Sequence, residues 1–168
     1  RVLFRSLYHL MGQALLEAEK AYLEGEVPVG AVLVDPEGRI LSRAHNQPIQ
    51  RCDPTAHAEI LAIRKACRIR QNYRLNRCLL VATIEPCPMC VGTAIHARVA
   101  KLVFGAHDIK GGAAGSLYDI PRDDRLNHRM EVVSGIMADE CRALMKAFFR
   151  ARRGKGSRPD KGEVPKWP

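Results

Sequence analysis

At 168 residues the chain can bury a core of useful size without disulfide staples, and it suits one domain better than two. Its six cysteines fall at irregular spacing and its first thirty residues mix both charge signs, so neither a disulfide scaffold nor a secretory signal or spanning helix is indicated, and a reduced, cytoplasmic setting is expected. The net charge of +9 (27 basic against 18 acidic residues) is concentrated towards the end, where residues 142–168 hold nine basic and two acidic side chains, and this favours a polyanionic partner over a plain solvated surface.

Leu7, Leu10, Met11, Ala14, Leu15, Ala18, Ala21 and Tyr22 recur at helical spacing, with Glu17, Glu19, Lys20 and Glu24 outside, and Gly25 closes this first helix. Residues 28–34 read as a strand, Asp35-Pro36-Glu37-Gly38 as a four-residue turn, and 39–44 as the returning strand. Asn46 leaves that strand, where its amide either reads a base edge or makes a local turn. A loop over 49–53 leads into a helix predicted over 54–69, packed through Ile60, Leu61, Ile63 and Ala66. Arg64, Lys65, Arg68, Arg70, Arg74 and Arg77 then form a basic cluster with no acid between them; taken alone it fits polyanion contact and a solvated face equally.

Residues 78–84 are an unbroken apolar run, the mark of a strand buried on both faces, expected to deliver Glu85 and Pro86 straight to the metal site of the motif that follows. A helix from about Pro88 to Arg98 and a strand over 100–106 come next, an order that implies parallel pairing through a crossover. Residues 107–127, with a glycine-rich centre at 111–116, form a loop long enough to serve function. The last strand is predicted over 130–136 and the last helix over 138–153, with Cys141, Leu144, Met145, Phe148 and Phe149 inward. Residues 154–168 turn polar, Gly/Pro-broken and basic, and are expected to be disordered. The expected architecture is α/β: residues 1–153 as a three-layer α-β-α domain with a mixed five-stranded sheet.

Two stretches carry the chemistry, Thr55-Ala56-His57-Ala58-Glu59 and Glu85-Pro86-Cys87-Pro88-Met89-Cys90. One imidazole and two thiolates suit tetrahedral Zn²⁺ and leave its fourth position open, which means chemistry rather than scaffolding. Cys87 and Cys90 share one helix face if a helix begins near Pro88. His57 and Glu59 would diverge by about 200° on a helix flank, but a helix started by Asp53-Pro54 can aim its first turns at the ion. Glu59 then remains as a free carboxylate placed to move protons. The competing reading is a closed structural site with Cys52, Cys67, Cys78 or Cys141 as the fourth ligand.

The H-x-E and P-C-x-x-C pattern resembles the zinc-dependent nucleoside and nucleic-acid deaminases of the cytidine and deoxycytidylate deaminase superfamily. Glu26-Val27-Pro28-Val29-Gly30, Gln71-Asn72-Tyr73-Arg74-Leu75, Phe104-Gly105-Ala106, Gly112-Ala113-Ala114-Gly115-Ser116-Leu117 and Phe148-Phe149-Arg150 make residues 10–153 similar to the bacterial tRNA-specific adenosine deaminases. Ile84, where the family often has leucine, and the tail after Gly154 depart from the pattern without touching a ligand. The resemblance implies a cytidine-deaminase-like fold, one Zn²⁺ per subunit on His57, Cys87 and Cys90, and Glu59 as the proton shuttle. It also implies Asn46 and Ala58 as substrate contacts, a homodimer, and hydrolytic conversion of the wobble adenosine of a tRNA anticodon to inosine by a zinc-activated water.

Asp108, an acid in a loop suited to an anionic strand, is expected to accept a hydrogen bond from a ribose 2′-OH; capping a turn is its structural alternative. Arg150, Arg152 and Arg153 are expected to reach backbone phosphates of the anticodon stem-loop from the end of the last helix. Two rival functions stay open: a deaminase of a free base or nucleoside such as guanine, cytosine or cytidine, and a zinc-stabilised RNA-binding module without catalysis.

Overall fold

The apolar run at 78–84 lies at the centre of the sheet, as its unbroken hydrophobicity demands. In the computed structural model, which describes residues 4–154, the strands are β1 (Gly30–Val34), β2 (Ile40–His45), β3 (Leu79–Ile84), β4 (Lys101–Ala106) and β5 (Glu131–Ser134). They stand in the order β2-β1-β3-β4-β5. Every residue of β3 is buried. β1 pairs antiparallel with both β2 and β3, while β3 with β4 and β4 with β5 are parallel, so the sheet is mixed and opens with a hairpin as expected.

Helices α1 (Phe4–Leu23) and α5 (Ala138–Gly154) cover one face, and α3 (Ala58–Arg70) and α4 (Pro88–His96) cover the other. The two-residue side-chain period of the strands sorts the core between them. Leu33, Leu80, Ala82 and Phe104 meet Ala62, Ile63 and Ile95, whereas Val32, Val34, Val81 and Val103 meet Met11, Ala14, Leu144 and Phe148. α1 runs so close to the sheet that a Cβ on Gly30 would overlap the Ala14 carbonyl, which is why only glycine begins β1. No helix among the described residues is long and apolar enough to cross a membrane.

Several expectations are corrected. Residues 49–53 are not all loop, because the short helix α2 (Pro48–Arg51) starts on a proline at its first position. α3 begins at Ala58 rather than near Pro54: Asp53 Oδ1 accepts hydrogen bonds from the Thr55 backbone N–H (2.8 Å) and hydroxyl (2.7 Å), so Asp53-Pro54-Thr55 is a side-chain-stabilised turn. On α5, Phe148 is buried against Tyr22, but Phe149 is 42% exposed. The buried stripe of α5 is narrow, Cys141, Leu144 and Phe148, and Phe149, about 100° round the helix from Phe148, falls outside it. The expectation of disorder for the tail concerns 155–168, which lie outside the described residues, and Gly154, which ends α5.

Candidate metal centre and active site

The metal-ligating stretches sit where two helices start. His57 is the residue just before α3, held extended at φ −72° and ψ 150°, and Cys87 occupies the same place before α4 at φ −74° and ψ 171°. Pro88 supplies the first position of α4, and Cys90 lies one turn in. The divergence expected for His57 and Glu59 on a helix flank never arises, because His57 is not yet in the helix. The first N–H of α3, that of Ala58, is satisfied instead by Asn46, whose Oδ1 accepts it at 2.8 Å.

His57 Nδ1 lies 3.7 Å from Cys87 Sγ and 3.5 Å from Cys90 Sγ, and the two sulfurs are 3.6 Å apart. A tetrahedral zinc with its usual bond lengths needs edges of about 3.8 Å between sulfurs and about 3.6 Å between nitrogen and sulfur, so this donor set fits the ion. Among the described residues the group holds these three side chains and no fourth. Cys67 is half-buried, Cys78 and Cys141 are buried, and all are free, as is Cys52, which is exposed rather than sheltered in an apolar stretch. The closed structural site therefore finds no fourth ligand there.

The hydrogen bond with Cys90, reinforced by the one with His57 against the opposing effect of burial, holds the Cys87 thiol below its ordinary range. That same bond, together with burial, pushes Cys90 up. Hydrogen bonding to Cys87 raises His57, with burial opposing. Both helix N-termini add partial positive charge that favours thiolates. Glu59, 3% exposed, stands beside the ligand group without joining it, and its Oε2 has no hydrogen-bond partner among the described residues. Burial raises its carboxyl above the ordinary value. An orphaned, buried oxygen next to a group of three metal-ligating side chains is a place where substrate or water belongs.

Asn46 is buried, and its bond to Ala58 settles its orientation: the oxygen faces the helix, leaving the amide nitrogen as a donor. The bond reaches a helix start twelve residues on and is not a local turn, and it leaves the amide nitrogen free for the expected base contact. Ala58 is buried at the first position of α3.

Glu85 does not turn to the metal. Its carboxylate, with no exposed side-chain surface, is the hub of the glycine-rich loop. Oε1 accepts the N–H groups of Ala114 (2.9 Å) and Ser116 (3.0 Å), and Oε2 accepts those of Asp108 (3.1 Å) and the His107 ring (3.1 Å), with the Ser116 hydroxyl. The parallel pairing of β3 and β4 brings their exits to one end of the sheet, which is how residue 85 reaches residues 107–116. Sequence reasoning missed this role. The available signal was a lone acid directly after a strand buried on both faces, followed later by a glycine run.

Asp108 Oδ1 accepts the N–H groups of Lys110 (3.0 Å) and Gly111 (3.2 Å), so the residue does cap a turn. It also lines a groove of about 860 Å³ with Ile109, Lys110, Arg142, Phe149 and Arg153. Of the three arginines expected to face RNA, Arg153 lines that groove and Arg150 is exposed. Arg152 is already engaged: it donates to the Gly25 carbonyl at 3.2 Å and its guanidinium lies 4.8 Å over the Phe148 ring.

The family model for the cytidine and deoxycytidylate deaminase zinc-binding region matches residues 5–106. A tRNA-specific adenosine deaminase of Haemophilus influenzae is 48% identical over 144 residues, covering 86% of this chain and 83% of that protein. Among solved structures, a tRNA:A34 deaminase studied for A-to-I editing at the wobble position superposes with a TM-score of 0.78 at 40% identity, covering 81% of this chain and 98% of the other. A guanine deaminase from Nitrosomonas europaea gives a TM-score of 0.68 at 25% identity, covering 84% of this chain and 83% of the other.

Proposed function

Because the chain belongs to the cytidine and deoxycytidylate deaminase family, and within it to the tRNA-specific adenosine deaminases, we propose that it converts the wobble adenosine of a tRNA anticodon to inosine by hydrolysis. The observation that carries this reading is a three-ligand metal centre beside a buried carboxylate with one unpartnered oxygen. His57, Cys87 and Cys90 would hold one Zn²⁺ per subunit. When bound, zinc supplies a water acidic enough to act as nucleophile near neutral pH.

The remaining work falls to the protein. Glu59, whose Oε2 is buried and unpartnered, would accept a proton from the attacking water and deliver it to N1 of adenine, which makes C6 electrophilic. After the C6–O bond forms, Glu59 would take the remaining proton from the new C6 hydroxyl and pass it to the exocyclic amine; the C6–N bond then breaks, ammonia leaves, and the C6 carbonyl of inosine remains with the first proton on N1. Burial disfavours the charged form of Glu59, which suits a group that must release a proton as well as accept one. The amide nitrogen of Asn46, fixed by the Ala58 bond, donates to the base edge and orients it. Asp108 and the basic residues of the neighbouring groove, Lys110, Arg142 and Arg153, receive ribose and phosphate. A target atom this deep requires a nucleotide turned out of its stack, which an anticodon loop offers and a duplex does not. The same reading makes residues 1–153 the deaminase domain of a cytoplasmic homodimer.

The test is incubation of the zinc-loaded protein with an anticodon stem-loop carrying adenosine at the wobble position, and in parallel with free adenosine, guanine and cytidine. Inosine and ammonia from the stem-loop alone are expected. Turnover of a free base or nucleoside without turnover of RNA would replace the reading with the small-molecule deaminase, and RNA binding without ammonia would replace it with a non-catalytic module.

A further inference from the structure

The basic cluster at 64–77 has no part in the site above. We infer that a groove along the β2 edge, between α1 and α3, takes backbone phosphates of the substrate RNA's helical stem, outside the loop that enters the active site; this rests on the deaminase reading. The groove, of about 710 Å³, is lined by Lys20, Arg43, Arg51, Arg64, Lys65 and Arg68, with Glu17 as the acid facing them. Glu17 is already spoken for by Lys20 Nζ at 2.6 Å and His45 Nδ1 at 3.0 Å.

The other cations meet neutral atoms or stand apart from carboxylates. Arg43 donates to Gln13 Oε1 (3.3 Å), Arg51 to Gln47 Oε1 (2.8 Å) and Lys65 to the Arg43 carbonyl (3.0 Å). The nearest carboxylate to Arg64, that of Asp53, is 3.9 Å away and accepts two bonds from Thr55. Beyond the pairs Lys20–Glu17 and Arg64–Asp53, the cations gathered in this concave surface, Arg43, Arg51, Lys65 and Arg68, have no carboxylate partner among the described residues, the footprint of polyanion binding. β2 is an edge strand, but Lys65 blocks one of its carbonyls, which disfavours an added peptide strand and leaves charge as the recognition principle.

Position supports the same partner. Arg51 belongs to α2, directly after Asn46, so one end of the groove adjoins the rim of the active site. Arg68 lies ten residues along α3 from Ala58, and at the helical rise the cationic track extends about 15 Å away from the metal. An RNA whose loop enters the site has its stem available to such a track, and stems are recognised through phosphate and shape rather than base identity.

The test compares a whole tRNA with a minimal hairpin of the same anticodon loop closed by a few base pairs. Binding is measured by fluorescence anisotropy across salt, and inosine formation alongside, for wild type, for the triple variant Arg43→Gln/Arg64→Gln/Arg68→Gln, and for Arg68→Glu alone. Lys65 is retained because it holds a backbone carbonyl. The triple variant is expected to flatten the slope of log affinity against log salt by about 2 to 3 on tRNA. It should also shrink the advantage of tRNA over the hairpin about tenfold or more, with Arg68→Glu moving both quantities the same way. An unchanged slope, an equal loss on both RNAs, or a changed oligomeric state by light scattering would overturn the inference, the last by assigning the groove to contact between copies. If wild type forms inosine from neither RNA, the deaminase reading fails, while the anisotropy series still decides the groove.

Discussion

Replacing Glu85 by Gln should destabilise the protein far more than the loss of one atom's charge implies. The carboxylate accepts two donors on Oε1 and three on Oε2, and it is fully enclosed. A glutamine keeps one acceptor oxygen and turns the other into a donor. If the amide nitrogen replaces Oε1, the N–H groups of Ala114 and Ser116 lose their partner; if it replaces Oε2, that of Asp108 does, while the Ser116 hydroxyl can rotate and the half-exposed His107 ring can switch tautomer to accept. At least one backbone donor is stranded either way, at about 1–3 kcal/mol for each where water cannot reach it. Against a total stability of about 5–15 kcal/mol, a fall in Tm of roughly 5 °C or more is expected by circular dichroism at pH 7. The pH profile gives a second readout. Burial alone would raise the Glu85 carboxyl, but the donors on Ser116, Ala114 and Asp108 outweigh it and hold the group below the ordinary 4.5. The unfolded chain therefore binds this proton more readily than the folded one, so the stabilisation is complete above about pH 5 and is lost as pH falls through the folded value. Wild type should shed more stability than Glu85→Gln on acidification. A variant melting within about 2 °C of wild type at pH 7, with the same acid profile, would refute the role of Glu85 as hub.

Glu59→Ala should keep zinc, measured by metal analysis, while turnover falls at least about 10²-fold; loss of zinc would mean that Glu59 is a ligand. His57→Ala and Cys87→Ser should lose metal and activity together, and full zinc occupancy in either would redraw the donor set. Asp108→Asn preserves the oxygen that accepts from Lys110 and Gly111, so the turn should survive while the ratio of activity on RNA to activity on DNA narrows; an unchanged ratio leaves Asp108 with its turn alone. Arg152→Ala should cost about 1–2 kcal/mol in denaturant melts by losing the Gly25 carbonyl and the Phe148 ring, whereas Arg153→Ala should leave stability alone and flatten the salt slope of stem-loop binding by about 0.7.

What the sequence determined by itself was the chemistry and the layering. An imidazole and two thiolates select a metal whatever the fold, and period-2 and period-3.6 patterns assign faces to strands and helices because those periods are fixed by backbone geometry. The sheet's mixed pairing and the helix starts at Cys87 and Pro88 belong with these, since proline and the strand–helix–strand order act locally. Tertiary structure decided what depends on distant partners. That His57 precedes α3 rather than riding on it follows from the Asp53 turn and from Asn46 taking the Ala58 N–H across twelve residues. Glu85 could be seen as a buried acid, but its five donors come from a loop more than twenty residues away, gathered only because β3 and β4 leave the sheet at the same end. Arg152 looks like its neighbours in composition, and a carbonyl 127 residues earlier in the chain sets it apart. Charge along the sequence likewise shows a cluster at 64–77, while the joining of its first members, Arg64, Lys65 and Arg68, with Lys20, Arg43 and Arg51 into one groove is a property of how α1, β2 and α3 pack.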